Sequence, residues 1–299
     1  MKNLAILALV GLASSAAQAQ VNTFTLNDGL FRYSVGTTNG GAAARTGTTA
    51  GGSANFGLAS GVGTTVTADY LWQNHFWYRS AGDTREFALS NMTFSTALGG
   101  NSIFTRYVEP IGNSGAGSND TLSFELTYTL NQITTTSAAL TINWSIVNNS
   151  SATQAVSFFS YADSDIGASA SNDSGTYSAG SGVNVFRNDD VVPPGNGSFF
   201  TMASDLRTND LWNVGAFSGV TSPRTFLTDA LLNNLTNIDT AAGAADNVAA
   251  MQWQNLSIGA GGTVGGRITL GYNYVIPTPG AAALLGLGGL VAMRRRRTA

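Results

Sequence analysis

The dominant pattern along the chain has a period of two. Leu122, Phe124, Leu126, Tyr128 and Leu130 alternate with Ser123, Glu125, Thr127 and Thr129. Leu140, Ile142, Trp144 and Ile146 alternate with Thr141, Asn143 and Ser145. Ile268, Leu270, Tyr272, Tyr274 and Ile276 repeat the arrangement near the C-terminal end. Each run predicts a strand with one face in a core and the other in water. In the run from Phe87 to Phe94 the alternation changes phase at Ser90-Asn91, which predicts a bulge.

Turn-forming stretches separate the runs, at Asn148-Asn149-Ser150-Ser151, Pro193-Pro194-Gly195-Asn196-Gly197 and Gly259-Ala260-Gly261-Gly262. Many short strands joined by such turns predict an all-β fold, an antiparallel two-sheet β-sandwich. One helix is expected over Thr225–Leu235, where Leu227, Leu231 and Leu235 fall at helical spacing. Residues 36–63 are rich in Gly, Ala and Thr and read as a long loop or edge hairpin.

The two ends break the pattern. A basic head, Met1-Lys2-Asn3, precedes the apolar run Leu4–Leu12, and Ala17-Gln18-Ala19 is a small-x-small cleavage site before Gln20. This is the form of a secretory signal peptide. At the other end stand Pro277-Thr278-Pro279, an uncharged run from Gly280 to Met293, and Arg294-Arg295-Arg296-Arg297. The prolines stop any helix arriving from upstream, and the arginines favour the cytoplasmic side of a membrane. The apolar run is short for a span, which needs about 20 residues.

The order of proline motif, apolar helix and basic cluster resembles the PEP-CTERM sorting signal, with Thr278 standing where that family usually carries glutamate. The resemblance covers the tail alone. It implies a bacterial cell, a precursor anchored in the inner membrane, cleavage by an exosortase-type enzyme, and delivery to the cell surface or an exopolysaccharide-rich matrix. The expected organisation is a signal peptide over 1–19, a β-sandwich ectodomain over 20–276 and a sorting segment over 277–299, with signal peptidase and the exosortase as processing partners.

Removing Lys2 and the four terminal arginines leaves 9 basic and 17 acidic residues, a net charge of −8. An acidic surface disfavours nucleic acid, whose binding depends on neutralising phosphates. There is no cysteine, so an exported chain must fold without disulfides. Lys2 is the only lysine and His75 the only histidine. A P-loop, a Schiff-base lysine, a thiol nucleophile and a zinc site of several His or Cys ligands are all excluded from the mature chain.

Three constellations remain. Asp163-Ser164-Asp165, followed by Asn172 and Asp173, offers closely spaced hard oxygen atoms of the kind Ca²⁺ takes, though Asp and Asn also cap turns in such positions. Tyr70–Arg79 is the most aromatic stretch. Trp72, Trp77 and Tyr78 either stack on sugar rings or pack in a core. His75 within it is expected to be structural. Glu86, Glu109 and Glu125 are the only glutamates, and a glycoside hydrolase needs two carboxyl groups across a cleft.

Taken together, the sequence predicts an exported, non-enzymatic protein of structural or interaction type, with no catalytic residue and no required cofactor. Against it stand a carbohydrate-binding module, Ca²⁺-dependent or not, and a secreted glycoside hydrolase.

Overall fold

The computed structural model describes residues 24–35, 54–58, 70–112, 120–166, 173–180, 182–190, 198–240 and 245–273. The chain opens with three short strands, β1 (Phe24–Asp28), β2 (Phe31–Val35) and β3 (Ala54–Leu58). There follow β4 (Gln73–Ser80), β5 (Phe87–Ala88), β6 (Met92–Gly99), β7 (Ser102–Pro110), β8 (Thr121–Gln132), β9 (Ser137–Asn148) and β10 (Gln154–Asp163). The second half holds β11 (Asp173–Gly180), β12 (Val183–Asp190), β13 (Phe199–Asp205), β14 (Leu211–Ala216), α1 (Pro223–Thr228), β15 (Ile238–Asp239), β16 (Asn247–Ile258) and β17 (Thr263–Asn273).

These strands form an eight-stranded sheet, β11-β12-β13-β17-β9-β8-β7-β6, and a six-stranded sheet, β15-β14-β16-β10-β4-β5. The third sheet, β1-β2-β3, is small. The pairing is antiparallel throughout except for β14 with β15. The expected all-β sandwich is what the chain forms. The three period-two runs are β8, β9 and β17, and their apolar members down to Tyr272 are buried.

The main core lies between the two large sheets. Across it Trp144 meets Trp253 at 5.1 Å and Tyr78 meets Phe124 at 5.0 Å, measured between ring centroids. The small sheet adds its own aromatics to the same core: Tyr33 stacks on Tyr128 and Phe31 meets Tyr272 edge-on. Burying aromatic rings of this size supplies the apolar area that a disulfide-free chain depends on.

A second, smaller cluster covers the outer face of the six-stranded sheet. Trp77, Phe159, Tyr161, Val248 and Ala250 project from that face, and Leu227 of α1 and Leu235 pack onto them. The sheet is therefore apolar on both sides, which explains why β4 and β10 carry aromatics in both phases.

Two local expectations change. The phase break at Ser90-Asn91 is a change of sheet, with β5 paired to β4 in one and β6 to β7 in the other, and the register shift of a bulge falls just beyond it, between Met92 and Phe94. The chain crosses between sheets there, and Glu109 Oε1 fixes the crossing by accepting the N–H groups of Ser90 (2.6 Å) and Asn91 (2.8 Å).

The predicted helix over Thr225–Leu235 is only the six-residue α1. Ser222 caps it with Pro223 at its first turn, and it ends at Asp229. Residues beyond it run extended over the sheet, with Leu235 N–H bonded to Gln252 Oε1 and Leu231 left 63% exposed. The leucine spacing matched a helix that the longer-range bonds override. In the stretch 36–63, read as a long loop or edge hairpin, residues 54–58 are the edge strand β3, antiparallel to β2.

The signal peptide with Ala17, Ala19 and Gln20 lies outside the described residues, as does the tail with Pro277, Thr278, Pro279 and Arg294–Arg297. Among the described residues no helix is long and apolar enough to cross a membrane, so the expected transmembrane helix has no counterpart there.

Candidate cation site and exposed tryptophan

β10 and β16 run antiparallel as neighbours, with Asp163 opposite Val248 and Tyr161 opposite Ala250. Residues two apart on a strand share a face. Continuing this register past the ends of both strands sets Asp165 across from Asp246, on the side already occupied by Tyr161 and Asp163. The result is a cluster in which carboxylate oxygens of Asp163, Asp165 and Asp246 lie within 4.8 Å of one another.

The cluster is deeply set. Asp163 is 2% exposed, and its Oδ1 has no hydrogen-bond partner. Asp246 Oδ1 and the Tyr161 hydroxyl are likewise buried without a partner. Burial, then the charges of Asp165 and Asp246, push the Asp163 carboxyl well above the usual carboxylate range, with Arg224 of α1 opposing them. Burial also raises Asp246. The Tyr161 phenol is raised, first by burial and then by Asp163. Arg224 itself lies 4.7 Å over the Phe217 ring, and its Nε has no partner.

A buried carboxylate surrounded by like charge is costly unless a cation joins it. Oxygen donors alone, with neither nitrogen nor sulfur, suit a hard ion. Asp163, Asp165 and Asp246 could therefore hold a metal.

Of the sequence-predicted ligands, Asp163 and Asp165 are brought together. Asp173 serves a different knot: its Oδ2 accepts from Ile166 N–H and Asn188 Nδ2, each at 3.0 Å. Burial lifts Asp173 to about 8, with those hydrogen bonds opposing and Asp165 and Asp190 adding to the rise. Asn172 lies outside the described residues. Asp246 was missed because it stands more than 80 residues from Asp163; only the β10–β16 pairing makes them neighbours.

The aromatic stretch divides sharply. Trp77 and Tyr78 are buried, Trp77 edge-on to Tyr161 and Tyr78 donating to Pro110 O at 3.0 Å. Neither offers a ring face to a ligand, so of the two alternatives for these residues they take core packing. Trp72, just before β4, is 54% exposed, and its N–H donates to Asp163 O at 2.8 Å. The backbone of this exposed residue is thus bonded to the backbone carbonyl of Asp163, one position before Gln73 on β4. His75 is half-buried on the outer face, opposite Tyr161 and edge-on to Trp77 at 5.9 Å.

The glutamates have structural partners. Glu86 pairs with Arg79 (2.8 Å) and Glu125 with Arg106 (2.7 Å), while Glu109 holds the crossing between sheets. No carboxyl pair for glycoside hydrolysis is assigned among them.

No protein-family model matches the chain, and no curated protein matches it in sequence. The PEP-CTERM and exosortase reading of the tail gains no support from these comparisons. Among solved structures, the chain is similar to a bacterial glucoamylase complexed with acarbose, with a TM-score of 0.53 and 11% identity. That match covers 91% of this chain and 35% of the other, so the chain spans about a third of that protein's length.

Weaker likenesses are to a galactose mutarotase-like protein from Lactobacillus casei (TM-score 0.45, 8% identity, 84% of this chain and 100% of that one) and to a protein described as a kojibiose phosphorylase from the human microbiome (TM-score 0.39, 8% identity, 91% of this chain and 32% of that one). At these identities the glucoamylase likeness establishes the fold alone. It nonetheless corrects two expectations, that the chain is a non-enzymatic structural protein and that it is no enzyme. The architecture is one found within a carbohydrate-active enzyme, so the sandwich gives no ground for a purely structural reading.

Proposed function

We propose that this chain is an exported carbohydrate-recognising protein that engages sugar at Trp72, with Ca²⁺ held beside it by Asp163, Asp165 and Asp246. One observation carries the reading: the most exposed tryptophan in the aromatic stretch is hydrogen-bonded through its backbone to the residue at the centre of the carboxylate cluster. A flat indole stacks on the apolar face of a sugar ring, while hydroxyl groups reach polar atoms or an ion beside it.

The glucoamylase whose fold this chain shares was solved with acarbose, which supports carbohydrate as the class of ligand to try first. Export follows from the signal peptide expected over 1–19, which leaves the ectodomain over 20–276 to act at the cell surface or outside the cell.

The test is calorimetric titration of the mature protein with acarbose and malto-oligosaccharides, alongside a glycan array in buffer containing Ca²⁺. Saturable binding that Trp72→Ala removes is the expected result. Release of reducing sugar from the same oligosaccharides would make the protein an enzyme as well. Absence of binding to every glycan presented would end the proposal.

A further inference from the structure

Asp163 shares its cluster with Asp165 and Asp246, whose charges on it Arg224 opposes. Oδ1 of Asp163 and of Asp246 are buried there without a hydrogen-bond partner. Two neutral oxygens on the same face share this condition. One is the Tyr161 hydroxyl, two residues before Asp163 on β10.

The other is Oε1 of Gln73. This residue is the first of β4, stands directly opposite Asp163 in the β4–β10 ladder and is 8% exposed. It belongs to the series Gln73, His75, Trp77 that opposes Asp163, Tyr161, Phe159 on the outer face. Directly opposed residues on one face have Cβ atoms about 4.5–5.5 Å apart. The amide of Gln73 is therefore within side-chain reach of the Asp163 carboxylate. A buried amide oxygen left without a donor is costly, and a cation supplies what this one lacks.

We propose that Gln73 is the neutral oxygen ligand that completes a divalent-cation site with Asp163, Asp165 and Asp246, and that filling this site fixes the position of Trp72. The chain geometry carries the second half. Trp72 precedes Gln73, and its N–H bonds to Asp163 O at 2.8 Å. A cation joining Gln73 Oε1 to the Asp163 carboxylate closes a ring through that hydrogen bond and the Trp72–Gln73 peptide. It also ties the start of β4 to β10 and to the residue before β16. Three carboxylates and one amide, oxygen donors throughout, match one Ca²⁺. The link to sugar binding rests on the carbohydrate reading above; the cation site does not.

The experiment uses the mature protein stripped with chelator, then titrated with CaCl₂ by calorimetry, with Tm and tryptophan emission followed in parallel. One Ca²⁺ per chain and a rise in Tm are expected. Gln73→Leu weakens Ca²⁺ on the order of tenfold, as loss of a supporting group at a metal site does, and Asp246→Asn weakens it further. The emission change on adding Ca²⁺ shrinks in Trp72→Phe.

No heat and no Tm change in the parent overturn the site. A folded Gln73→Leu protein that titrates like the parent overturns the ligand assignment. Should that variant not fold, Gln73→Glu replaces it: an added anionic oxygen tightens Ca²⁺, and an unchanged affinity overturns the assignment. Ca²⁺ binding with the same emission response in parent and Trp72→Phe overturns the coupling. If acarbose and the oligosaccharides fail to bind, the sugar reading falls alone, and Trp72 emission still decides whether the cation reaches that residue.

Discussion

Glu86 and Asp163 are both carboxylates buried at the same six-stranded sheet, and they are held in opposite ways. Glu86 Oε1 accepts from Arg79 Nη1 at 2.8 Å and from Asn233 N–H at 3.2 Å. Arg79 goes on to bond Asn233 O and Asn234 Oδ1, and Gln252 Nε2 donates to Asn234 as well. This network fastens the extended segment after α1 onto the sheet. Each acid keeps one buried oxygen without a partner, Glu86 Oε2 and Asp163 Oδ1, but Asp163 faces two carboxylates where Glu86 faces a guanidinium. Burial outweighs Arg79 and raises Glu86 to about 7, so even the paired group is expensive to ionise. A buried acid with a guanidinium and a backbone donor is a fastening; a buried acid among like charges is costly to ionise.

The largest expected effect tests the fastening. Arg79→Ala strands Glu86 in the interior and removes two bonds to the covering segment. It should lower stability by about 3–5 kcal/mol in urea unfolding, the usual cost of breaking a buried pair. A loss under about 1 kcal/mol would show that the network is incidental.

The pH dependence comes next. Glu86 at about 7 and Asp173 at about 8 both lie above their ordinary values, 4.5 and 3.8. Between those limits the native state binds more protons than the unfolded chain, so stability falls as pH rises and is fully present below the ordinary values. Each group contributes up to about 1.4 kcal/mol per pH unit inside its window. Acidifying from pH 8 to 5 should raise the urea midpoint, and Glu86→Gln with Asp173→Asn should flatten the curve. A midpoint that falls over this range in the parent protein would contradict the burial assigned to these groups.

Smaller still is the contrast between neutralised acids. In chelator at pH 8, Asp163→Asn removes like-charge repulsion and should leave stability unchanged or raise it by roughly 1 kcal/mol. Glu86→Gln under the same conditions relieves a burial penalty but gives up a charge-assisted bond to Arg79, so its gain should be smaller than that of Asp163→Asn. A gain as large in Glu86→Gln would erase the distinction between the sites. Smallest is Trp72→Ala, which should stay within about 0.5 kcal/mol of the parent because the ring is exposed. Its effect belongs to the acarbose titration.

Much of the sandwich was legible in residue order. The alternation in β8, β9 and β17 survives because each strand has one apolar face, so the side-chain period reports directly on burial. β4 was harder. Trp77 lies under α1 while Tyr78 lies in the main core, and a sequence with aromatics in both phases cannot tell two buried faces from one face that binds. The short helix was over-read for a related reason. Leu227 and Leu235 are both buried, but one by a helix and the other by an extended segment held at Glu86 and Gln252.

Of the carboxylate cluster, the Asp163-Ser164-Asp165 half was visible. Gln73 and Asp246 were not, because a lone Gln before an aromatic run and a lone Asp before a strand carry no local signal.

What the sequence determined by itself is the repetitive part: strands with a period of two, turns at Gly, Asn and Ser, and the absence of thiols and of more than one histidine. These follow from local chemistry that each residue carries wherever it is placed. The tertiary structure alone decided which strands became neighbours, and therefore which oxygens share a space. Antiparallel pairing of β10 with β16 and with β4 brings Asp246 and Gln73 to Asp163 from opposite sides. Register is a property of two chain segments at once, and no single stretch of the sequence contains it.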